Sequence, residues 1–237
     1  MRQFSVAHLA ALTVLAIACA AAITAPRRHP GPWVTWVRRA LAAVIAAGWI
    51  GEYIAEVLVG TWTLSYSLPL QLTDAVSLAA IVALLTGRQL AVELLYYWAF
   101  SATLQAALTP DLGHGQSFPS VFYFTYFTYH VGAIVAACLL AFGCRRYPRH
   151  ESMWIVYGIT FLFAMISGAG DLITGGNYMY LRYRPVHNSL LSVMGPWPWY
   201  IMSGALIALA MFLLLRTLSD LARTRDSAAA PTMAVAP

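Results

Sequence analysis

Long apolar runs separated by short polar breaks fill almost the whole chain, at about 4–25, 38–59, 68–86, 90–108, 118–142, 153–173 and 197–218. A helix rises about 1.5 Å per residue, so each run is long enough to cross roughly 30 Å of hydrocarbon. The pattern predicts an all-α polytopic membrane protein of about seven transmembrane helices, folded as one domain over 1–226. Connections between runs are too short to hold a second folded unit. The end of the chain, SAAAPTMAVAP from Ser227, is low in complexity and is expected to be disordered.

Charge placement gives the spans a direction. Every basic residue is an arginine, and seven spans put Arg27, Arg28, Arg38, Arg39, Arg88, Arg145, Arg146, Arg149, Arg216, Arg223 and Arg225 on one side. Only Arg2, Arg182 and Arg184 fall on the other. Loops rich in arginine stay in the cytoplasm, so the N-terminus is expected outside and the C-terminus inside, in a bacterial plasma membrane. Reading 1–25 as a cleaved signal peptide would strand Arg27, Arg28, Arg38 and Arg39 outside, against that rule.

Composition removes the soluble alternatives. The chain is 60% hydrophobic and 10% charged, too apolar for a soluble domain to bury. Its net charge of +5 comes from arginines at span ends, which is not a nucleic-acid-binding face. Cys19, Cys138 and Cys144 have no metal-binding or disulfide spacing and read as small packing residues. No metal or cofactor is expected. Haem ligation by paired histidines is disfavoured, because His130 is the only histidine well inside a span apart from His8 near the N-terminus.

Ionisable groups are costly within a bilayer, which makes each one a functional candidate. Glu52, Glu56, Asp74 and Asp171 fall in the outer halves of their spans, with Gln71, Thr73 and Gln105 at similar depth. The outer loops add Asp111, His114, Asn177, Arg182 and Arg184. Segments remote in sequence therefore send polar side chains to one side of the membrane. Glu52 and Glu56 share a helix face. They form either a headgroup or cation site, or a pair neutralised by Arg182 or Arg184. Glu93, near Arg88, reads as a group at the cytoplasmic boundary. His130 falls near mid-depth in an aromatic run, as either a neutral histidine bonded to a carbonyl or tyrosine, or a general base. Gly168-Ala169-Gly170-Asp171 matches the GxGD of intramembrane aspartyl proteases, but the companion tyrosine–aspartate pair is missing and helix packing explains the glycines. Ser167-Gly168 is too little for a rhomboid-type serine site.

Several strings resemble a known family: Leu68-Pro69-Leu70-Gln71-Leu72-Thr73-Asp74, Leu108-Thr109-Pro110-Asp111-Leu112-Gly113, and Phe118-Pro119 leading to His130-Val131-Gly132. Gly176-Asn177-Tyr178-Met179-Tyr180-Leu181-Arg182 and Gly195-Pro196-Trp197-Pro198-Trp199-Tyr200 complete the set. Together they resemble the YwaF-like bacterial integral membrane proteins. That family is similar to a eukaryotic transmembrane acyltransferase of ether phospholipids, and more distantly to the androgen-induced membrane threonine hydrolases of fatty-acid esters. The resemblance implies a nucleophile at Thr73, where the acyltransferase has cysteine, and a histidine partner at His130.

The expected function is hydrolysis or transfer of a lipid acyl group near the outer leaflet, with Thr73 as nucleophile and His130 as base. Gln71, Asn177 or an arginine would meet the oxyanion. Glu52, Glu56, Asp74, Gln105, Asp111, Asp171, Asn177 and Arg182 would support the site or bind a headgroup. Membrane lipids are the expected partners of a monomer or small oligomer, with no nucleic acid. A transporter or lipid-binding protein is the alternative, with Glu52, Glu56, Asp74 and Asp171 carrying protons or a cation. Against it, the chain shows no internal repeat.

Overall fold

A computed structural model describes residues 3–113, 115–185 and 190–228. Arg2, His114 and the segment 229–237 lie outside the described residues. Seven helical rods follow the apolar runs: α1 (Val6–Arg28), α2 (Trp33–Val59), α3 (Leu72–Thr86), α4, α5 (Val121–Gly143), α6 (Ser152–Thr174) and α7 (Trp199–Ala228). Helix α4 runs through Gln89–Trp98, a π-helical stretch Ala99–Thr103, and Leu104–Leu108 without leaving helical backbone angles. Five rods are long and apolar enough to cross a membrane, and α3 is a shorter apolar helix. No strand occurs among the described residues. Helix α7 includes Ser227 and Ala228, so the helix continues past the Asp226 boundary expected from sequence.

Local chemistry sets the ends. Ser5 and Ser120 cap α1 and α5, their hydroxyls accepting the N–H groups of His8 and Phe122. Helices α2 and α6 stop at Gly60 and Gly175, both with φ of 75°, a left-handed turn that a side chain would resist. Helices α2 and α5 cross through small residues. A Cβ on Gly48 would lie 2.8 Å from the Thr128 side chain, and one on Gly132 would lie 2.7 Å from Ile45. The core of α2, α3, α4 and α5 holds Ile45, Ala80, Leu95, Tyr97 and Leu140 fully buried. Helices α1, α6 and α7 pack outside it and present broad apolar faces outward.

The two ends of the bundle differ as the arginine count implied. At one end Asp226 of α7 pairs with Arg27 of α1 at 3.0 Å and with Arg145 at 3.1 Å. His150 meets Asp220 there at 2.8 Å. Glu93 is fully buried and held by Arg149 through contacts of 2.8 and 2.9 Å, not by Arg88. The reason is reach: the loop after α5 lays its arginine directly over the carboxylate, and Arg149 donates its backbone N–H as well. At the other end α1 begins, with His8 Nε2 on the Ala107 carbonyl at 2.9 Å and the Tyr123 hydroxyl on Ala7 O at 2.6 Å. The described parts of the loops 60–71, 109–120 and 175–198 meet on that same end, where most polar candidates lie.

Candidate functional site

The loop end is built around Tyr178. Its hydroxyl donates to Leu64 O at 2.7 Å and accepts from Leu68 N–H at 2.9 Å, which pins the turn-rich loop before α3. Asp171 Oδ1 accepts the Tyr178 N–H at 2.6 Å, and Gln71 Oε1 accepts the Met179 N–H at 2.8 Å. Tyr180 donates to Asp111 at 2.9 Å. Tyr178→Phe removes both hydroxyl bonds and orphans Leu68 N–H. A loss of about 1–3 kcal/mol is expected, read as a lower unfolding midpoint in detergent.

Inside this frame lies a cavity of about 620 Å³, within the range of small-molecule sites. Glu52, Gln71, Thr73, Gln105, Asp111, His130 and Asn177 all line it. Seven sequence candidates from α2, α3, α4, α5 and three loops thus share one hollow. Apolar side chains, among them Leu190, Leu191, Met194, Ile207, Met211 and Phe212, make up the rest of the lining. The π-helical turn of α4 brings Trp98, Ser101 and Ala102 onto the wall, and Trp98 Nε1 is fixed by the Thr160 hydroxyl at 2.7 Å.

Thr73 is the second residue of α3, in the first turn, where backbone N–H groups have no intrahelical acceptor. Its side chain makes no hydrogen bond among the described residues, so it does not bond back to its own helix. His130 lies deeper, 2% exposed, with its ring stacked on Tyr126 at 4.0 Å between centroids. Nδ1 is 2.8 Å from the Tyr126 carbonyl. A carbonyl only accepts, so Nδ1 carries the proton and Nε2 keeps a lone pair. Helix α5 begins at Val121, three residues later than the apolar run, which brings His130 closer to the loop end than its sequence position implied.

Four candidates stand behind the wall instead of on it. Asp74 accepts from Trp49 Nε1 at 2.8 Å, Tyr53 OH at 2.7 Å and Gln71 N–H at 2.9 Å, tying α2 to the start of α3. Asp171 holds the Tyr178 turn. Glu56 is buried, with Oε2 unpartnered. Arg182 donates from its side chain to Gly176 O at 3.1 Å. Neither Arg182 nor Arg184 pairs with a glutamate. Glu52 instead accepts a short hydrogen bond from the Thr125 hydroxyl, and Arg184 turns to Ser192 O at 3.0 Å. Both arginines are spent on closing their own loop. Asn177 is likewise committed, its amide bonded to Tyr183 O and to the N–H groups of Arg182 and Tyr183.

Sequence reasoning did not single out the cavity's tyrosines. Tyr66, Tyr126, Tyr129, Tyr180 and Tyr183 line it, and nothing in their spacing separates them from packing aromatics. Burial, then the carboxylates Glu56, Glu52 and Asp111, push the Tyr66 phenol up to about 12. Tyr180 is raised by burial and by Asp111. Both remain protonated donors at neutral pH.

An all-helical bundle with membrane-length apolar rods defines a polytopic membrane protein, and a mostly apolar cavity lies at its loop end. The TMEM164 family model matches residues 3–216, and the chain belongs to the TMEM164 family, a transmembrane protein family. Searches of curated proteins and of solved structures return no match.

Proposed function

We propose that the cavity cleaves or transfers an acyl group of a membrane lipid, with Thr73 as nucleophile and His130 as general base. The observation that carries this reading is the shared hollow: an unbonded hydroxyl and an imidazole with a free Nε2 line one cavity whose largely apolar lining suits an alkyl chain. The Thr73 hydroxyl would attack the ester carbonyl as Nε2 takes its proton. The oxyanion would meet the first-turn N–H groups of α3 and the Gln71 amide nitrogen, whose Oε1 is already anchored. The imidazolium then returns the proton to the leaving alcohol oxygen. The acyl-threonine passes to water or to a second alcohol.

The YwaF-like resemblance, with its threonine–histidine and acyltransferase kin, supports the same chemistry. By the positive-inside rule the arginine end faces the cytoplasm of a bacterial plasma membrane, which directs the cavity to the outer leaflet. The test is lipid profiling of cells carrying wild type, Thr73→Ala or His130→Ala at matched expression. Altered acyl composition with wild type alone is expected, and identical profiles in all three would remove the catalytic role.

A proton-coupled transporter is the second reading, favoured by the unpartnered oxygens of Glu56 and Asp171 near the same end. Proton-driven flux in proteoliposomes, lost in Glu52→Gln or Asp171→Asn, would select it.

A further inference from the structure

The arginine end holds a second polar construction, unrelated to the cavity. Arg38 of α2 and Arg146 of the loop after α5 both reach the last turn of α3. Arg38 Nη2 lies 3.5 Å from Ala83 O, and Arg146 Nη1 lies 2.6 Å from Gly87 O. Those carbonyls are one helical turn apart, so the two guanidiniums are neighbours and repel one another. Capping a helix C-terminus explains one donor from each arginine. It leaves the remaining donors of both forks unused, and Arg38 Nε is buried without any partner.

Neither arginine forms an ion pair with an acid among the described residues, Glu151 ahead of α6 included. Glu93 is held by Arg149, Asp226 by Arg27 and Arg145, and Asp220 by His150. Neighbouring side chains place these arginines by depth. Trp33 and Trp36 are exposed on the first turn of α2, and the Arg39 guanidinium sits 5.3 Å from the Trp36 ring centroid. Exposed tryptophans beside arginines mark the headgroup layer.

We propose that Arg38 and Arg146 together bind a phosphate group, that of an anionic phospholipid in the arginine-side leaflet. Guanidinium forks match phosphate oxygens in pairs, and one diester supplies enough acceptors for both. The bound anion removes the repulsion between the two cations and satisfies Arg38 Nε. It also links α2, α3 and the loop after α5 at one point.

The purified full chain is tested by native mass spectrometry with phosphatidylglycerol and phosphatidylcholine, and by calorimetry with inorganic phosphate. Wild type is expected to retain phosphatidylglycerol selectively, and Arg146→Gln and Arg38→Gln to lose about tenfold in retention, the loss of one charged hydrogen-bonding partner. Arg28→Gln, exposed and with no hydrogen bond to α3, should match wild type. Arg146 is exposed on a loop, so its variant reports even if Arg38→Gln fails to fold. Inorganic phosphate binding that disappears in Arg146→Gln, without lipid selectivity, would support the phosphate site and assign it to the free ion. Equal retention of both lipids by wild type and Arg146→Gln, with no phosphate binding, would overturn the proposal.

Discussion

His130→Gln is expected to slow acyl release from a labelled phospholipid in proteoliposomes by about 10²- to 10⁴-fold, the usual worth of a positioned general base. Glutamine keeps a polar side chain of similar reach, so the cavity should survive while the lone pair on Nε2 is lost. Thr73→Ala should fall to the same residual rate. The double variant is the sharper probe. A nucleophile and its base act as one unit, so removing both should cost no more than removing either. Independent, multiplying losses would mean that the two residues contribute separately, for instance by binding alone.

Asp74→Ala is expected to lower stability by about 3 kcal/mol, because three donors lose a buried acceptor at once. The orphaned groups are Trp49 Nε1, Tyr53 OH and Gln71 N–H, all within 2.9 Å of the carboxylate in the native fold. The first turn of α3 would loosen with them, and Thr73 sits in that turn. Activity should therefore fall together with the unfolding midpoint. Asp74→Asn, which keeps one carbonyl acceptor, should recover part of both. A variant with full stability and no activity would instead put Asp74 in contact with the substrate.

The helices were largely written in the hydropathy pattern, since hydrocarbon accepts little else than long apolar helices with internally satisfied backbones. Helix α2 begins at Trp33, five residues ahead of its apolar run, and two other starts fall late for a local reason. Leu68 and Phe118 are apolar but precede prolines, and residues before proline favour extended backbone, so α3 and α5 begin later, at Leu72 and Val121. The grouping of arginines at one end of the bundle was equally legible.

At the site the sequence supplied the residue types and not their partners. Glu52 and Glu56 lie on one helix face as the spacing required, yet a threonine hydroxyl on α5 answers Glu52 in place of an arginine. Cross-helix pairing depends on rotation and depth, which single-span patterns do not carry. Asp74, expected to support the site or bind a headgroup, joins α2 to the start of α3. Thr73 and His130, drawn together by resemblance and by chemistry, do line one cavity, whereas Arg182 and Asp171 serve the loop behind it.

The most direct measurement is the intact mass of the protein after a few seconds with phospholipid carrying an isotopically labelled acyl chain. Wild type should gain the mass of a single acyl chain, and Thr73→Ala none. An identical adduct on Thr73→Ala, or labelled acyl groups leaving the lipid at the wild-type rate in that variant, would contradict Thr73 as the nucleophile.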